Sequence, residues 1–152
     1  MPRMGTVDLT ASLDAPCPPE VLFAHVEDLV AYPGWLEIVE RAEAVEVVPA
    51  DDGDAAWMVE LRGRVGPLAR SKRLRMVRTA LAVPGHVRFE RREHDGRDHS
   101  PWVLDGRVEA TDSGSRLEMR LHYGGGLGGA VLERLLTDAI ERSRPVLIEL
   151  VS

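Results

Sequence analysis

The stretch that decides the fold runs from Tyr123 to Leu150 and reads YGGGLGGAVLERLLTDAIERSRPVLIEL. After the glycines, apolar residues recur at steps of three and four with charged residues between them, which predicts a long amphipathic helix. Burying each leucine or isoleucine of this stripe contributes about 1.5–3 kcal/mol before conformational entropy is subtracted. Such an apolar stripe must pack against a broad apolar surface. The stripe consists of Leu132, Leu135, Leu136, Ala139, Ile140, Ser143 and Leu147.

Upstream of this helix the chain reads mainly as strands and turns. Residues 7–13 alternate between apolar and polar, as expected of a half-buried first strand. Two short helical pieces are predicted next, over 21–29 and 35–39, with a break at Tyr32-Pro33-Gly34. From position 42 to 123, alternating segments and turn signals such as Asp95-Gly96 predict six further strands in a meander. The expected class is α+β, with the concave face of a curved antiparallel sheet packed on the final helix.

One residue conflicts with this helical pattern. Pro145 lies late in it and has no backbone N–H to donate to the carbonyl of Glu141. We therefore expect a kink or a break of the helix at Pro145.

Composition and charge narrow the class of protein. The 152 residues are 44% hydrophobic and 29% charged, which fits one globular domain spanning 1–152. The net charge of −6 argues against a general nucleic-acid binder. Cys17 is the sole cysteine, so no internal disulfide is expected. The sequence shows neither a signal-peptide pattern nor a run of 18 apolar residues, so we expect a cytoplasmic protein without stable membrane insertion. Its oligomeric state is not predictable.

The order of elements resembles that of the START-like (SRPBCC) superfamily. Two segments carry the resemblance in residues, Pro19-Glu-Val-Leu-Phe23 and Asp28-Leu-x-x-Tyr32-Pro33-x-Trp35-Leu36, and the branch they resemble most is the polyketide cyclase/dehydrase and lipid-transport proteins. The resemblance implies a helix-grip fold, in which a seven-stranded sheet wraps around the C-terminal helix and encloses a cavity for a lipophilic molecule. Because this superfamily includes carriers, cyclases and coenzyme Q-binding proteins, it assigns no catalytic residue.

The inward registers of the predicted strands and the stripe of the final helix define the candidate ligand contacts, since ligand pockets are mostly apolar and aromatic. Arg70 and Lys72 share the register of Leu74 and Met76, so one of the two cations is a candidate for the cavity's polar end. Arg91 is a further candidate for this polar end, where its guanidinium would hold a carboxylate or enolate oxygen of a ligand. The candidate ligand-binding residues are Trp57, Val59, Leu61, Leu74, Met76, Phe89, Arg91, Trp102, Leu104, Met119, Leu121, Tyr123, Leu132, Leu136 and Ile140.

Two local motifs suggest cofactors but fail in context. Gly124-x-Gly126-x-x-Gly129 matches the dinucleotide-binding fingerprint in letters, yet too little chain follows it for the returning strand and its ribose-binding acid. The segment His94-Asp95-Gly-Arg-Asp98-His99 holds four potential metal ligands at a spacing unlike established sites, and polar residues of this kind are typical of hairpin tips. We therefore expect neither a metal nor a nucleotide cofactor.

A basic run lies in the middle of the chain. It could attract an anionic membrane or an acidic partner. The simpler interpretation is a set of outward strand positions paired with Glu43, Glu46 and Glu60, because interspersed acids weaken the field beyond a Debye length of about 8 Å. The run comprises Arg62, Arg64, Arg70, Lys72, Arg73, Arg75 and Arg78.

Three classes of function remain open. The first is a carrier or sensor of a lipophilic small molecule, which requires only the cavity. The second is a polyketide cyclase, aromatase or dehydratase, which also requires an acid, a base or an arginine positioned inside it. The third is a protein-interaction module acting on a macromolecular complex. The inward registers are dominated by valine, leucine, methionine and tryptophan, which favours the carrier or sensor.

Overall fold

In a computed structural model, which describes residues 6–65, 68–125 and 129–152 and only the backbone of 64–65 and 68–70, the chain forms seven strands, two α-helices and two short 3₁₀-helices. The strands are β1 (Val7–Ala15), β2 (Val39–Val45), β3 (Ala56–Val65), β4 (Leu68–Ala82), β5 (His86–Arg91), β6 (Trp102–Thr111) and β7 (Gly114–Tyr123). The α-helices are α1 (Pro19–Phe23) and α2 (Gly129–Val151), and the 3₁₀-helices cover Leu29–Gly34 and Pro49–Asp51.

The strands form one antiparallel sheet in the order β1-β7-β6-β5-β4-β3-β2. Every neighbouring pair is sequential except β1 and β7, which pair from Val7 opposite Tyr123 to Ala15 opposite Ser115. The curved sheet and the long C-terminal helix confirm the predicted helix-grip fold.

Helix α2 packs one side on the sheet, mainly along β1 and β3. Leu136, Ala139 and Leu147 are buried on this side, as the three- and four-residue spacing predicts. The helix also approaches β3 closely at Gly63, where a Cβ would lie 3.1 Å from Leu135 Cδ1. A Cβ at position 63 would require the Leu135 side chain to shift by a few tenths of an ångström.

Of the kink or break expected at Pro145, the break is wrong, because α2 continues through this residue to Val151. Pro145 is exposed on the outer side of the helix, so the carbonyl of Glu141 that lacks its N–H partner is on the solvent side. Leu147 and Val151 are buried beyond the proline and hold the last turns on the core.

The connection from β1 to β2 also differs from the prediction. Helix α1 ends at Phe23, and Tyr32-Pro33-Gly34 lies inside a 3₁₀-helix instead of interrupting an α-helix. The Val30 N–H donates to Asp28 Oδ1 at 2.9 Å, which caps this 3₁₀-helix. Val39, expected to end the second helical piece, is the first residue of β2. We call the segment 19–38 the elbow.

A buried ion pair joins the turn after β2 to β4. The Arg75 guanidinium donates to both oxygens of the fully buried Asp51, at 2.9 and 2.7 Å, and to the Glu46 carbonyl at 3.1 Å. The Val48 N–H donates to Asp51 at 2.9 Å. Hydrogen bonding by Arg75, helped by this backbone N–H, lowers the pKa of Asp51 well below its usual range although burial opposes it. The sequence suggested glutamates as partners of the basic run, and for Arg75 the partner is instead Asp51.

We predict that Asp51→Ala lowers the free energy of unfolding at pH 7 by about 3–5 kcal/mol, because it leaves the Arg75 charge buried without its partner. Asp14→Ala, which breaks the exposed pair with Arg116, is the control and should change stability little. Urea denaturation measures both. An Asp51→Ala protein as stable as the control would contradict a structural role for the buried pair.

The same pair predicts a dependence of stability on pH. Because the pKa of Asp51 is depressed in the folded state, its contribution is complete above the unfolded pKa of about 3.9 and is lost as the pH falls from there toward the folded value. Lowering the pH from 7 to 2 should therefore reduce the difference in free energy of unfolding between the wild type and Asp51→Ala. A constant difference between pH 7 and pH 2 would contradict this linkage.

Candidate functional site

A cavity of about 140 Å³ lies between α2, the elbow and the concave face of the sheet. Its wall is almost entirely aliphatic and aromatic, and it includes side chains from strands at both edges of the sheet. The lining residues are Leu9, Ala11, Ser12, Leu13, Leu29, Tyr32, Trp35, Leu36, Ile38, Val39, Val59, Leu61, Leu74, Met76, Trp102, Leu104, Leu117, Met119, Leu121, Leu136, Ile140, Ser143, Arg144 and Leu147.

Most of the candidate ligand contacts predicted from the sequence meet at this cavity. They come from β3, β4, β6, β7 and α2, whose inward positions converge because the sheet curves around the helix. Those on the wall are Val59, Leu61, Leu74, Met76, Trp102, Leu104, Met119, Leu121, Leu136 and Ile140. Trp57, Phe89, Arg91, Tyr123 and Leu132 are not on the wall.

Trp57 and Phe89 pack under the elbow. Their rings meet edge to face with centroids 5.6 Å apart. The Phe89 ring also packs against the Tyr32 ring, with the two ring centroids 6.2 Å apart. The Arg78 guanidinium lies 5.3 Å from the Trp57 ring. Alternation along the strands correctly puts both aromatic residues in the core, but the elbow covers this end of the concave face and separates them from the cavity.

The three candidate cations have different surroundings. Arg91 donates through Nε to Glu93 at 2.6 Å and through a terminal nitrogen to the Ser100 carbonyl at 3.3 Å, so it is held outside the cavity wall. The side chain of Arg70 lies outside the described residues. Lys72 is exposed, and its Nζ lies 5.4 Å from the Tyr123 ring centre and 6.0 Å from that of Trp102.

Lys72 is therefore at the rim of the cavity. It pairs with Leu61 across β3 and β4 and precedes Leu74 on the same side of β4, and both leucines line the cavity. Tyr123 lies beside it and packs against Trp102 with ring centroids 4.9 Å apart. Leu132, at the start of α2, is partly buried against the core.

The polar groups of the wall are mostly engaged with the protein itself. The Ser143 hydroxyl donates to the Ile140 carbonyl at 2.6 Å, and Arg144 donates to the Ser12 carbonyl and to Glu141 at 3.2 Å. The phenol of Tyr32 donates to the Val26 carbonyl at 2.9 Å, and burial raises its pKa far above the ordinary value. Tyr32 therefore stays protonated and cannot serve as a base near neutral pH.

Trp102 is an exception to this pattern. Its side chain lines the cavity and the residue is only 3% exposed, yet its indole N–H has no hydrogen-bond acceptor among the described residues. Buried donors are rarely left without a partner, because an unpaired one retains the full cost of desolvation. Sequence alternation placed this ring on the inner face but could not indicate that its N–H is unpaired.

The elbow residues of the wall were missed by sequence reasoning. Leu29, Tyr32, Trp35 and Ile38 line the cavity, whereas the candidate ligand contacts predicted from the sequence included no residue of the elbow. The hydrogen bond from Trp35 Nε1 to the His25 carbonyl, 2.9 Å long, fixes the elbow against itself. The concentration of aromatic and aliphatic residues over 29–38 was the available signal, since an exposed connection would not need them.

The two rejected cofactor motifs have separate positions. His94 turns to Asp51, with Nε2 3.2 Å from Oδ1, while His99 contacts Asp95 at 2.9 Å. These two histidines thus make contacts with different acids. Of the three glycines of the dinucleotide-like motif, Gly126 lies outside the described residues, and Gly129 is the first residue of α2.

Within the described parts of the chain, no helix has the length and apolar character needed to cross a membrane.

Comparison with known proteins places the chain in a family. The family model described as "Polyketide cyclase / dehydrase and lipid transport" matches residues 6–144. No curated protein matches the chain in sequence.

Solved structures share the fold at low identity. Protein CV1439 of Chromobacterium violaceum is 16% identical, with 96% of each chain covered and a TM-score of 0.63. A START superfamily protein of Mycobacterium smegmatis is 14% identical, with 96% of each chain covered and a TM-score of 0.67. The di-domain ARO/CYC StfQ from the steffimycin biosynthetic pathway is 14% identical, with a TM-score of 0.68, and the match covers 96% of this chain and 51% of StfQ. The chain belongs to the polyketide cyclase/dehydrase and lipid-transport family and has a START-like fold.

Proposed function

We propose that this protein binds a small lipophilic molecule in the cavity between α2 and the sheet, as a carrier or a sensor. The observation that carries the proposal is the apolar wall, to which the helix, the elbow and six strands contribute. A cavity lined in this way favours apolar ligands, since their transfer from water gains free energy in proportion to the apolar area buried.

The volume limits the size of the ligand. Drug-sized ligands occupy pockets of roughly 300–1,000 Å³, whereas an apolar cavity of about 150 Å³ accepts a molecule such as benzene. At about 140 Å³, this cavity fits one aromatic ring or a short aliphatic chain. A larger lipid or a multi-ring polyketide would require α2 or the elbow to move outward.

The polar groups of the wall support binding over catalysis. A cyclase or dehydratase needs an acid or base that is free to exchange a proton with its substrate. Ser143 and Arg144 hydrogen-bond to the protein, and Tyr32 is a buried phenol with a raised pKa. The family description includes cyclases and dehydrases, so the enzymatic alternative remains the second candidate. It would need a proton-transfer group that is brought into the cavity with the substrate.

We predict that a lipophilic dye sensitive to its environment binds the wild-type protein and that Leu136→Arg weakens this binding at least tenfold, or about 1.4 kcal/mol. Leu136 lies on the wall, so a charge there would make the cavity unfavourable for an apolar ligand. Arg134→Ala, on the exposed side of the same helix, is the control and should bind like the wild type.

Thermal melts of both variants must accompany the titration, because a buried charge also destabilises the fold. Equal dye affinity in the two folded variants would contradict the proposed binding site.

A second variant blocks the cavity without adding charge. Ala11 lies on β1 with its side chain on the wall, so Ala11→Leu should fill part of the empty volume. We expect dye affinity to fall at least fivefold, about 1 kcal/mol, while the melting temperature stays equal or rises because the added carbons gain packing contacts. A folded Ala11→Leu protein that retains wild-type dye affinity would show that the dye binds elsewhere.

A further inference from the structure

Two donors that have no acceptor among the described residues belong to neighbouring side chains at the rim of the cavity. The first is the Lys72 ammonium, which contacts the faces of Tyr123 and Trp102 at 5.4 and 6.0 Å from the ring centres. Among the described residues no carboxylate forms an ion pair with it. The rings position this cation but do not neutralise its charge.

The second donor is the indole N–H of Trp102. It belongs to a residue that is 3% exposed and lines the cavity, and it has no acceptor within the described residues. It is an independent indication of a missing partner, because a buried N–H normally has one. Protein atoms cover the nitrogen itself, so a ligand oxygen would contact it only if the ring rotated.

The sheet brings these two donors together from distant strands. Strand β5 ends at Arg91, whereas the first half of β4 extends past this end. Lys72 lies on that half of β4, and its Nζ contacts the rings of Trp102 on β6 and Tyr123 on β7. At the border with β1, the Arg144 guanidinium is already bonded to the Ser12 carbonyl and Glu141. Of these two cations near the cavity, Lys72 is the one without a hydrogen-bonding partner among the described residues.

We propose that the ligand is a small lipophilic carboxylate, with its apolar body in the cavity and its carboxylate at this rim, bound by Lys72 and the Trp102 N–H. This rests on the proposed function. A carboxylate only accepts hydrogen bonds and has two oxygens, which match one charged and one neutral donor. An alcohol would gain no ionic contact with Lys72, and an amine would be repelled by it. The volume limits the body to a short aliphatic chain or a single aromatic ring.

The test compares three unbranched probes of eight carbon atoms each: octanoate, octanol and octylamine, titrated below their aggregation concentrations at pH 7 and low salt. Calorimetry or tryptophan fluorescence reports binding. Lys72→Ala should weaken octanoate about fivefold and change octanol less than twofold, because the ammonium is exposed and its ionic contribution is modest. Arg73→Ala removes the same charge from the neighbouring exposed position and should leave octanoate binding unchanged. Lys72→Glu should reverse the preference, so that octylamine binds more tightly than octanoate.

Trp102→Phe separates the N–H from the ring. It keeps an aromatic surface under Lys72 and removes only the indole donor and part of the ring, so we expect octanoate affinity to fall about threefold. Octylamine, which has no acceptor for the indole, should change less than octanoate does. Thermal melts confirm that each variant is folded before it is compared.

A second readout uses the fact that Lys72 is the only lysine in the sequence. Acetylation by an amine-selective reagent, followed by peptide mass spectrometry, reports this ammonium directly. Octanoate should slow the modification of Lys72 at least threefold, whereas octanol at equal occupancy should not.

The outcomes separate this proposal from the proposed function. If octanoate and octanol bind, but Lys72→Ala weakens octanoate no more than Arg73→Ala does, the carboxylate proposal is wrong and the apolar cavity remains. Dye binding without octanoate binding also overturns the carboxylate proposal alone. If neither the dye nor any probe binds, the proposed function is itself wrong.

Discussion

The contact between α2 and the concave face of the sheet is the constraint on which the rest of the structure depends. The sheet cannot cover this face by itself, because its two edges, β1 and β2, do not pair with each other. Leu136, Ala139 and Leu147 are buried where the helix meets the sheet. A straight helix and a curved sheet do not fit without gaps, and side chains of moderate size leave part of the space between them empty. The cavity is thus a product of the same contact that stabilises the fold.

Two further sets of contacts stabilise the elbow and the turn after β2. The elbow closes one end of the concave face, with Tyr32 and Trp35 packed 4.9 Å apart and each bonded to a backbone carbonyl. The Arg75–Asp51 pair fixes the turn after β2 to β4 in the middle of the chain. Breaking either would leave buried polar groups without partners, so both positions resist change more than an exposed ion pair does.

The parts that were predictable from the sequence are those with a clear period. The three- and four-residue spacing over 132–147 identifies α2, and alternation identifies most strands and the inner face of each. The elbow lacks such a period, because a 3₁₀-helix containing Pro33 repeats differently from an α-helix. Alternation also says which face a residue is on but not what covers it, and so Phe89 is under the elbow and Met76 at the cavity. The partner of Arg75 was unpredictable because Asp51 reads as an ordinary turn residue.

The pairing of β1 with β7 determines when the sheet can be completed during synthesis of the chain. Of the described strands, β1 is synthesised first, and its one neighbour in the sheet, β7, is synthesised last. Contacts so distant in sequence carry a large entropic cost of loop closure and slow the folding of a domain. Until residue 123 has been synthesised, β1 exposes unpaired backbone groups that can join other chains. The cavity forms only after β1 has paired with β7. A ligand would therefore stabilise the folded domain and would not stabilise earlier folding intermediates.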